Sequence, residues 1–117
     1  MSCVLIALHG GLARRSALKA VLNYCREMKF KVNVLLVDGG NELSPVLADF
    51  LDRLKQAGLN GRLYRQSGSL GQAVLNHVGL HRNIQMILVD SMKNLGSAFP
   101  FKGLPQPIGL ISSVASW

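Results

Sequence analysis

The sequence predicts an α/β domain built on an open parallel sheet of five strands, in the order 3-2-1-4-5, with helices on both faces. Short continuous apolar runs, typical of strands buried on both faces, alternate with segments whose apolar residues recur at helical spacing. This alternation indicates right-handed crossovers between parallel strands. The length of 117 residues and the hydrophobic content of 49% suit a single domain, residues 1–117, with a substantial core.

The first half of the chain supplies two strands and two helices. Residues 3–8 form a continuous β-favouring run, which predicts a central strand, and residues 12–28 carry one apolar stripe at helical period. Residues 31–37 are the second predicted strand. Ser44-Pro45 predicts the start of the second helix, because serine caps helix N-termini and proline suits the first helical position. Gly58 is the expected end of that helix.

The second half of the chain supplies three strands but one clear helix. Residues 62–66 alternate polar and apolar side chains, which favours an edge strand, and residues 69–78 predict the third helix. Residues 84–89 and 108–114 are the fourth and fifth predicted strands. Glycines and prolines interrupt residues 91–107, so we expect the fourth crossover helix to be missing or reduced to a turn.

The order and spacing of these segments resemble the universal stress protein family over most of the chain. The stretch "VLIALHGGLARRSALKAVLNYC" resembles that family's first strand, turn and helix, and "VNVLLVDGG" resembles its second strand. The later matches are "YRQSGSLGQAVLNHV", "IQMILVDS" and "LPQPIGLISS". The resemblance implies the adenine nucleotide alpha hydrolase-like fold, a regulatory part in a stress response, and pairing of two copies through the last strand.

Two departures from the family pattern fall where its nucleotide-binding members hold ATP. Those members carry an aspartate after the first strand, whereas this sequence has His9. They also carry a glycine signature after the fourth strand, whose backbone amides cradle phosphates. The corresponding stretch here is "DSMKNLGSAF", with Asp90 and Lys93 at the first two glycine positions. Since a carboxylate repels a triphosphate, we expect no cofactor and only weak binding of ATP.

The carboxyl ends of the predicted strands are the expected ligand site, because open α/β sheets bind ligands at that edge. A Gly-Gly pair before a helix offers backbone amides to an anion, so the predicted ligand is a small anion; the alternative is a plain strand-to-helix turn. The predicted contacts are His9, Gly10, Gly11, Val37, Asp38, Gly68, Ser91, Gly96 and Ser97.

His9 keeps an enzymatic alternative open. An imidazole at a strand end titrates near neutral pH and is able to act as a general base or phosphoryl acceptor, as in some phosphotransferase-system domains and cobalt chelatases. The competing interpretation is a turn residue with a structural role. His77 and His81 have the spacing of a metal pair, but the neighbouring Gly79 and Arg82 indicate a fraying helix end, so no metal site is predicted. No nucleophile with a base and an orienting group is recognisable, which favours a protein that is not an enzyme.

Composition and charge indicate which binding partners and which cellular compartment to expect. The net charge of +7 favours anionic partners in general, but the seven aromatic residues are not interleaved with the basic ones, so specific nucleic-acid binding is not expected. No apolar run approaches the ~20 residues of a membrane helix, so no membrane insertion is expected. Cys3 and Cys25 lack metal-site spacing, which predicts a reduced, cytoplasmic protein.

The last predicted strand is the expected dimer interface. Residues 108–117 contain no charge and no proline, and an unguarded edge strand offers unpaired backbone groups to a second copy. The predicted interface residues are Ile108, Leu110, Ile111 and Val114. The sequence therefore predicts a regulatory or scaffolding domain that acts as a homodimer. The alternatives are a His9-dependent phosphocarrier or chelatase-like enzyme, and a cytosolic accessory domain of a transporter or larger complex.

Overall fold

The computed structural model describes residues 2–10 and 13–117 and confirms the predicted topology. All neighbouring strands are parallel, and their order is β3-β2-β1-β4-β5. The strands are β1 (Cys3–His9), β2 (Lys31–Val37), β3 (Asn60–Gln66), β4 (Ile84–Val89) and β5 (Ile108–Leu110). The helices are α1 (Arg15–Met28), α2 (Pro45–Gln56) and α3 (Leu70–Leu80).

The central strand β1 divides the core into two layers. Successive side chains of a strand point to opposite faces, so alternate residues of β1 enter different clusters. Val4, Ile6 and Leu8 pack with the apolar residues of α1 and α2. Leu5 and Ala7 pack with those of α3 on the other face. Both faces are thus covered over β1, which explains why its run of six apolar residues has no polar interruption.

Serine caps begin the second and third helices, as the sequence predicts for the second. The Ser44 hydroxyl accepts the Leu47 amide at 3.2 Å, and Pro45 occupies the first helical position. The Ser69 hydroxyl accepts the Gln72 amide in the same way, also at 3.2 Å. These bonds satisfy amides that would otherwise lack partners at the helix ends, so both helices have fixed starting points next to the carboxyl edge of the sheet.

The connection from β4 to β5 lacks an α-helix, as predicted. Two short 3-10 helices, Met92–Leu95 and Phe101–Gly103, stand in its place. Leu95 and Phe99 are buried against the α3 side of the sheet. The α3 face beside β4 is therefore closed by two side chains on irregular backbone instead of by a helix.

The fifth strand is shorter than the sequence predicts. Its expected span of residues 108–114 is wrong beyond Leu110, because Ile111–Ser116 form a 3-10 helix that packs on α1. Side chains three apart share one face of such a helix, so Ile111 and Val114 both turn into the α1 layer of the core, where they are 3% and 4% exposed. These two predicted interface residues are thus part of the protein's own core.

The two cysteines are free and buried. Burial raises the pKa of both thiols, that of Cys25 to about 12, so neither forms the reactive thiolate at neutral pH. In the part of the chain that the structure describes, no helix combines the length and the apolar character needed to cross a membrane.

Candidate ligand site at the strand ends

Three strands bring their last residues together at the carboxyl edge of the sheet. β1 ends at His9, next to Val37 of β2, and Asp38 and Asp90 directly follow β2 and β4. The His9 side chain is 42% exposed, and its Nε2 lies 3.6 Å from the Asp38 carboxylate oxygen Oδ2. An imidazole and two carboxylates therefore lie at this edge of the sheet.

Asp90 ties the ends of β1 and β4 together. One oxygen of its carboxylate accepts the backbone amide of His9 at 3.2 Å. The other oxygen accepts the Ser91 amide at 2.9 Å and the Asn94 side-chain amide at 3.5 Å. Asp90 is absent from the predicted contact set, although the same strand-end argument that selects His9 and Asp38 also points to it. Its carboxylate accepts hydrogen bonds from His9, Ser91 and Asn94.

Asp38 holds a second set of hydrogen bonds on the other side of His9. Its backbone is left-handed, with φ of +52°, a conformation that aspartate tolerates better than most residues. This turn lets the backbone amide donate to the Gln66 carbonyl at 3.0 Å while the carboxylate accepts the Gly68 amide at 3.1 Å. Asp38 thereby joins the end of β2 to the loop that leads into α3.

Four backbone amides at this edge already donate to acceptors of the protein. The amides of His9 and Ser91 donate to Asp90, that of Gly68 donates to Asp38, and that of Gly10 donates to the Val37 carbonyl at 2.8 Å. An anion-binding turn needs amides that point at the ligand instead of at acceptors of the protein. Six predicted contacts come together here: His9, Gly10, Val37, Asp38, Gly68 and Ser91.

Three predicted contacts are not among these six. Gly11 falls outside the described residues. Gly96 and Ser97 follow the 3-10 helix Met92–Leu95, which packs on α3. The pocket next to Asp90 has a volume of about 440 Å³. Its walls are Ala13, Arg14, Ala17, Asp90, Ile111 and Ser112. Arg14 and Ser112 are absent from the predicted contact set, and Ser112 reaches the pocket because β5 gives way to a 3-10 helix.

His77 and His81 form a packed cluster that is not arranged as a metal site. The helix ends at Leu80 and the backbone of His81 is extended, so a helix end falls between the two histidines, as the sequence predicts. The two rings stack at a centroid distance of 4.0 Å, and the Nε2 atom of His77 lies 3.2 Å from the Asn33 amide nitrogen. Within residues 2–10 and 13–117, no group of three or more potential metal-ligating side chains comes together.

Comparison with solved structures identifies the class of fold. A universal stress protein family member from Burkholderia pseudomallei superimposes with a TM-score of 0.61 at 14% identity, covering 93% of this chain and 94% of the other. The universal stress protein UspA from Lactobacillus plantarum gives a TM-score of 0.53 at 13% identity, covering 94% and 98%. No protein-family model matches the sequence, and no curated protein matches it significantly. The chain therefore has a universal stress protein-like fold, as the resemblance of its segments predicts.

Proposed function

We propose that this chain is a cytoplasmic, universal stress protein-like regulatory or scaffolding domain that acts as a homodimer and does not use ATP. The observation that supports it is the hydrogen bonding at the strand ends. Asp90 and Asp38 accept the amides of His9, Ser91 and Gly68, which are the groups a phosphate would need. On this proposal the chain keeps the universal stress protein-like fold, but its own carboxylates occupy amides that would otherwise bind a phosphate.

Electrostatic repulsion, like the hydrogen bonds, opposes the binding of a triphosphate at this edge. A triphosphate at this edge would have to displace the Asp90 carboxylate from two backbone amides and then lie beside two carboxylates. The small anion expected from Gly10 and Gly11 meets the same obstacle. Arg14, in the wall of the pocket beside Asp90, is the cation that would partly offset it. We therefore propose that any anion binds weakly here and contacts Arg14.

The first prediction concerns nucleotide affinity. The unmodified protein should bind ATP with a dissociation constant weaker than ~100 µM, that is, with a binding free energy smaller than about 5.5 kcal/mol in magnitude. Asp90→Gly removes the charge and frees the amide of His9, so it should tighten ATP binding about tenfold, equivalent to ~1.4 kcal/mol. Isothermal titration calorimetry measures both constants.

Asp52→Asn is the control for this experiment. It removes the same charge from an exposed position on α2, away from the strand ends, and should leave ATP affinity nearly unchanged. Low-micromolar ATP binding by the unmodified protein would contradict the proposal. An affinity that is equal in Asp90→Gly and the unmodified protein would show that the carboxylate is not the obstacle.

The phosphocarrier alternative is disfavoured by the charge around His9. The Nε2 atom faces the Asp38 carboxylate at 3.6 Å, and the backbone amide of His9 is bonded to Asp90. A phosphoryl group on this ring would be placed next to carboxylates. We therefore expect the His9→Ala variant to keep the fold and the assembly state of the unmodified protein. If the protein were a phosphocarrier, the same substitution would abolish its activity.

The open edge of β5 is the proposed dimer contact, although it is shorter than the sequence predicts. The Pro107 carbonyl accepts the Ile87 amide, so by alternation the polar backbone groups of Ile108 and Leu110 point to the open side. Two residues offer few hydrogen bonds, so side chains must supply most of the contact area. An apolar groove of about 300 Å³ adjoins the strand. Its walls are Tyr24, Met86, Pro107, Ile108, Gly109 and Trp117.

The second prediction tests this contact through Trp117. This residue is 56% exposed, and its ring packs edge-on against Tyr24 with the ring centroids 5.1 Å apart. Trp117→Lys should convert a dimer into a monomer, measured by light scattering at tens of micromolar. Leu80→Lys is the control, because Leu80 is 78% exposed at the end of α3. Lysine at Ile111 would instead unfold the core. A stable monomer of the unmodified protein at that concentration would rule out the proposal.

A further inference from the structure

A groove between α1 and α2 combines an apolar floor with a charged rim. We call it the α1–α2 groove. Leu18, Leu22 and Phe50 form its floor and are nearly fully buried, and Val46 forms part of its wall. Its remaining walls are Arg15, Lys19, Asp49 and Arg53, and its volume is about 180 Å³.

The rim of the α1–α2 groove is held in place by one carboxylate. The Asp49 oxygen Oδ2 accepts from the Arg53 Nε at 2.9 Å and lies 3.4 Å from an Arg15 guanidinium nitrogen. A guanidinium carries five N–H donors, and Asp49 takes one from each arginine. Lys19 adds a third cation to the rim. The rim therefore carries a net positive charge of two, from three cations and one carboxylate.

We propose that the α1–α2 groove binds an acidic peptide segment of a partner protein through one large apolar side chain. A cavity of ~150 Å³ lined by apolar side chains is enough to hold a benzene-sized group, so the groove fits one phenylalanine or leucine side chain. Pockets for whole small molecules are larger, ~300–1,000 Å³, which disfavours a cofactor. The positive rim favours glutamate or aspartate residues on either side of this apolar side chain, in the way that arginine clusters bind acidic motifs.

This inference goes beyond the proposed function and can fail separately from it. The α1–α2 groove lies on the helix face, whereas the proposed dimer contact lies at β5 and Trp117. Variants of the groove rim should therefore leave the assembly state unchanged.

The test uses a short fluorescein-labelled peptide with one phenylalanine between glutamates, titrated with the unmodified protein in fluorescence anisotropy. We expect saturable binding that weakens as ionic strength rises, because the rim charges are exposed and screened by salt. Replacing the peptide's phenylalanine by alanine should abolish saturation. Lys19→Glu should weaken binding about fivefold, in line with one exposed charge contact.

Lys55→Glu is the matched control, since it makes the same charge change on α2 at a residue outside the groove, and it should change the affinity less than twofold. Val46→Trp, which fills the cavity, should block binding while the rim stays intact. The proposal is overturned if binding does not saturate, if the alanine peptide binds equally well, or if Lys55→Glu weakens binding as much as Lys19→Glu. Lys19-dependent binding to anionic phospholipid vesicles, with no binding of the peptide, would overturn it in favour of a membrane surface.

Discussion

The free energy of unfolding should fall by up to about 3 kcal/mol as the pH drops from about 6.5 to about 4, because His77 resists protonation in the folded protein. Its ring is 2% exposed, and burial, followed by the nearby His81, lowers its pKa from 6.5 to about 4. Above pH 6.5 the ring is neutral in both states. Below it, the unfolded chain binds a proton that the folded protein excludes, so stability is lost until the folded pKa is reached.

The contacts of His77 explain why the charged form is excluded. An amide nitrogen only donates, so the Asn33 side chain requires Nε2 of His77 to be an acceptor at 3.2 Å. Protonation would place two donors against each other. The His81 ring lies on one side at 4.0 Å, and the Tyr64 ring meets His77 edge-on at 4.7 Å. None of these neighbours is a carboxylate that would stabilise an imidazolium.

Urea unfolding measured from pH 4 to pH 7 tests this prediction. His77→Gln keeps a hydrogen-bonding side chain but cannot titrate, so its stability curve should be flatter than that of the unmodified protein by most of the ~3 kcal/mol. His9→Gln is the control, because His9 is exposed and the substitution is the same. Parallel curves for His77→Gln and the unmodified protein would refute the assignment.

Periodicity predicted the sheet because burial on two faces leaves a direct trace in the sequence. Residues 3–8 have no strongly polar side chain, which is typical of a strand covered on both sides. The same logic placed His9 and Asp38 at one edge of the sheet. The prediction of burial failed for Met28. This residue belongs to the apolar stripe of α1, yet it is 51% exposed at the last position of the helix.

The end of the chain was mispredicted because apolar, β-favouring residues suit more than one backbone. Residues 108–114 have the composition of a strand, but Ile111 and Val114 pack in the α1 layer of the core with Leu88 of β4. A 3-10 helix buries Ile111 and Val114 there, whereas an extended strand would send alternate side chains to opposite faces. Which hydrogen bonds Asp90 makes was also beyond the sequence, since they depend on the register of β1 against β4.

Gly71 should be the least replaceable residue of α3. It is buried where α3 meets the 3-10 helix Met92–Leu95. A Cβ at this position would lie 2.3 Å from the Leu95 carbonyl oxygen and 3.3 Å from the Phe99 ring. The oxygen belongs to the backbone and cannot rotate away as a side chain would. The segment that replaces the fourth crossover helix would have to move, and with it the buried side chains of Leu95 and Phe99.

Gly71→Ala should therefore lower the free energy of unfolding by about 2 kcal/mol, since overpacking costs ~1–3 kcal/mol and outweighs the gain in helix propensity. Gly79→Ala is the matched control on the same helix, because a Cβ there has no neighbour within 4 Å among the described residues. It should stabilise the protein by up to about 1 kcal/mol. Urea unfolding of both variants at pH 7 measures the two values, and the expected signs are opposite. If both substitutions stabilise the protein, the close approach of α3 to Leu95 is wrong, and so is the path of the chain from Asp90 to β5.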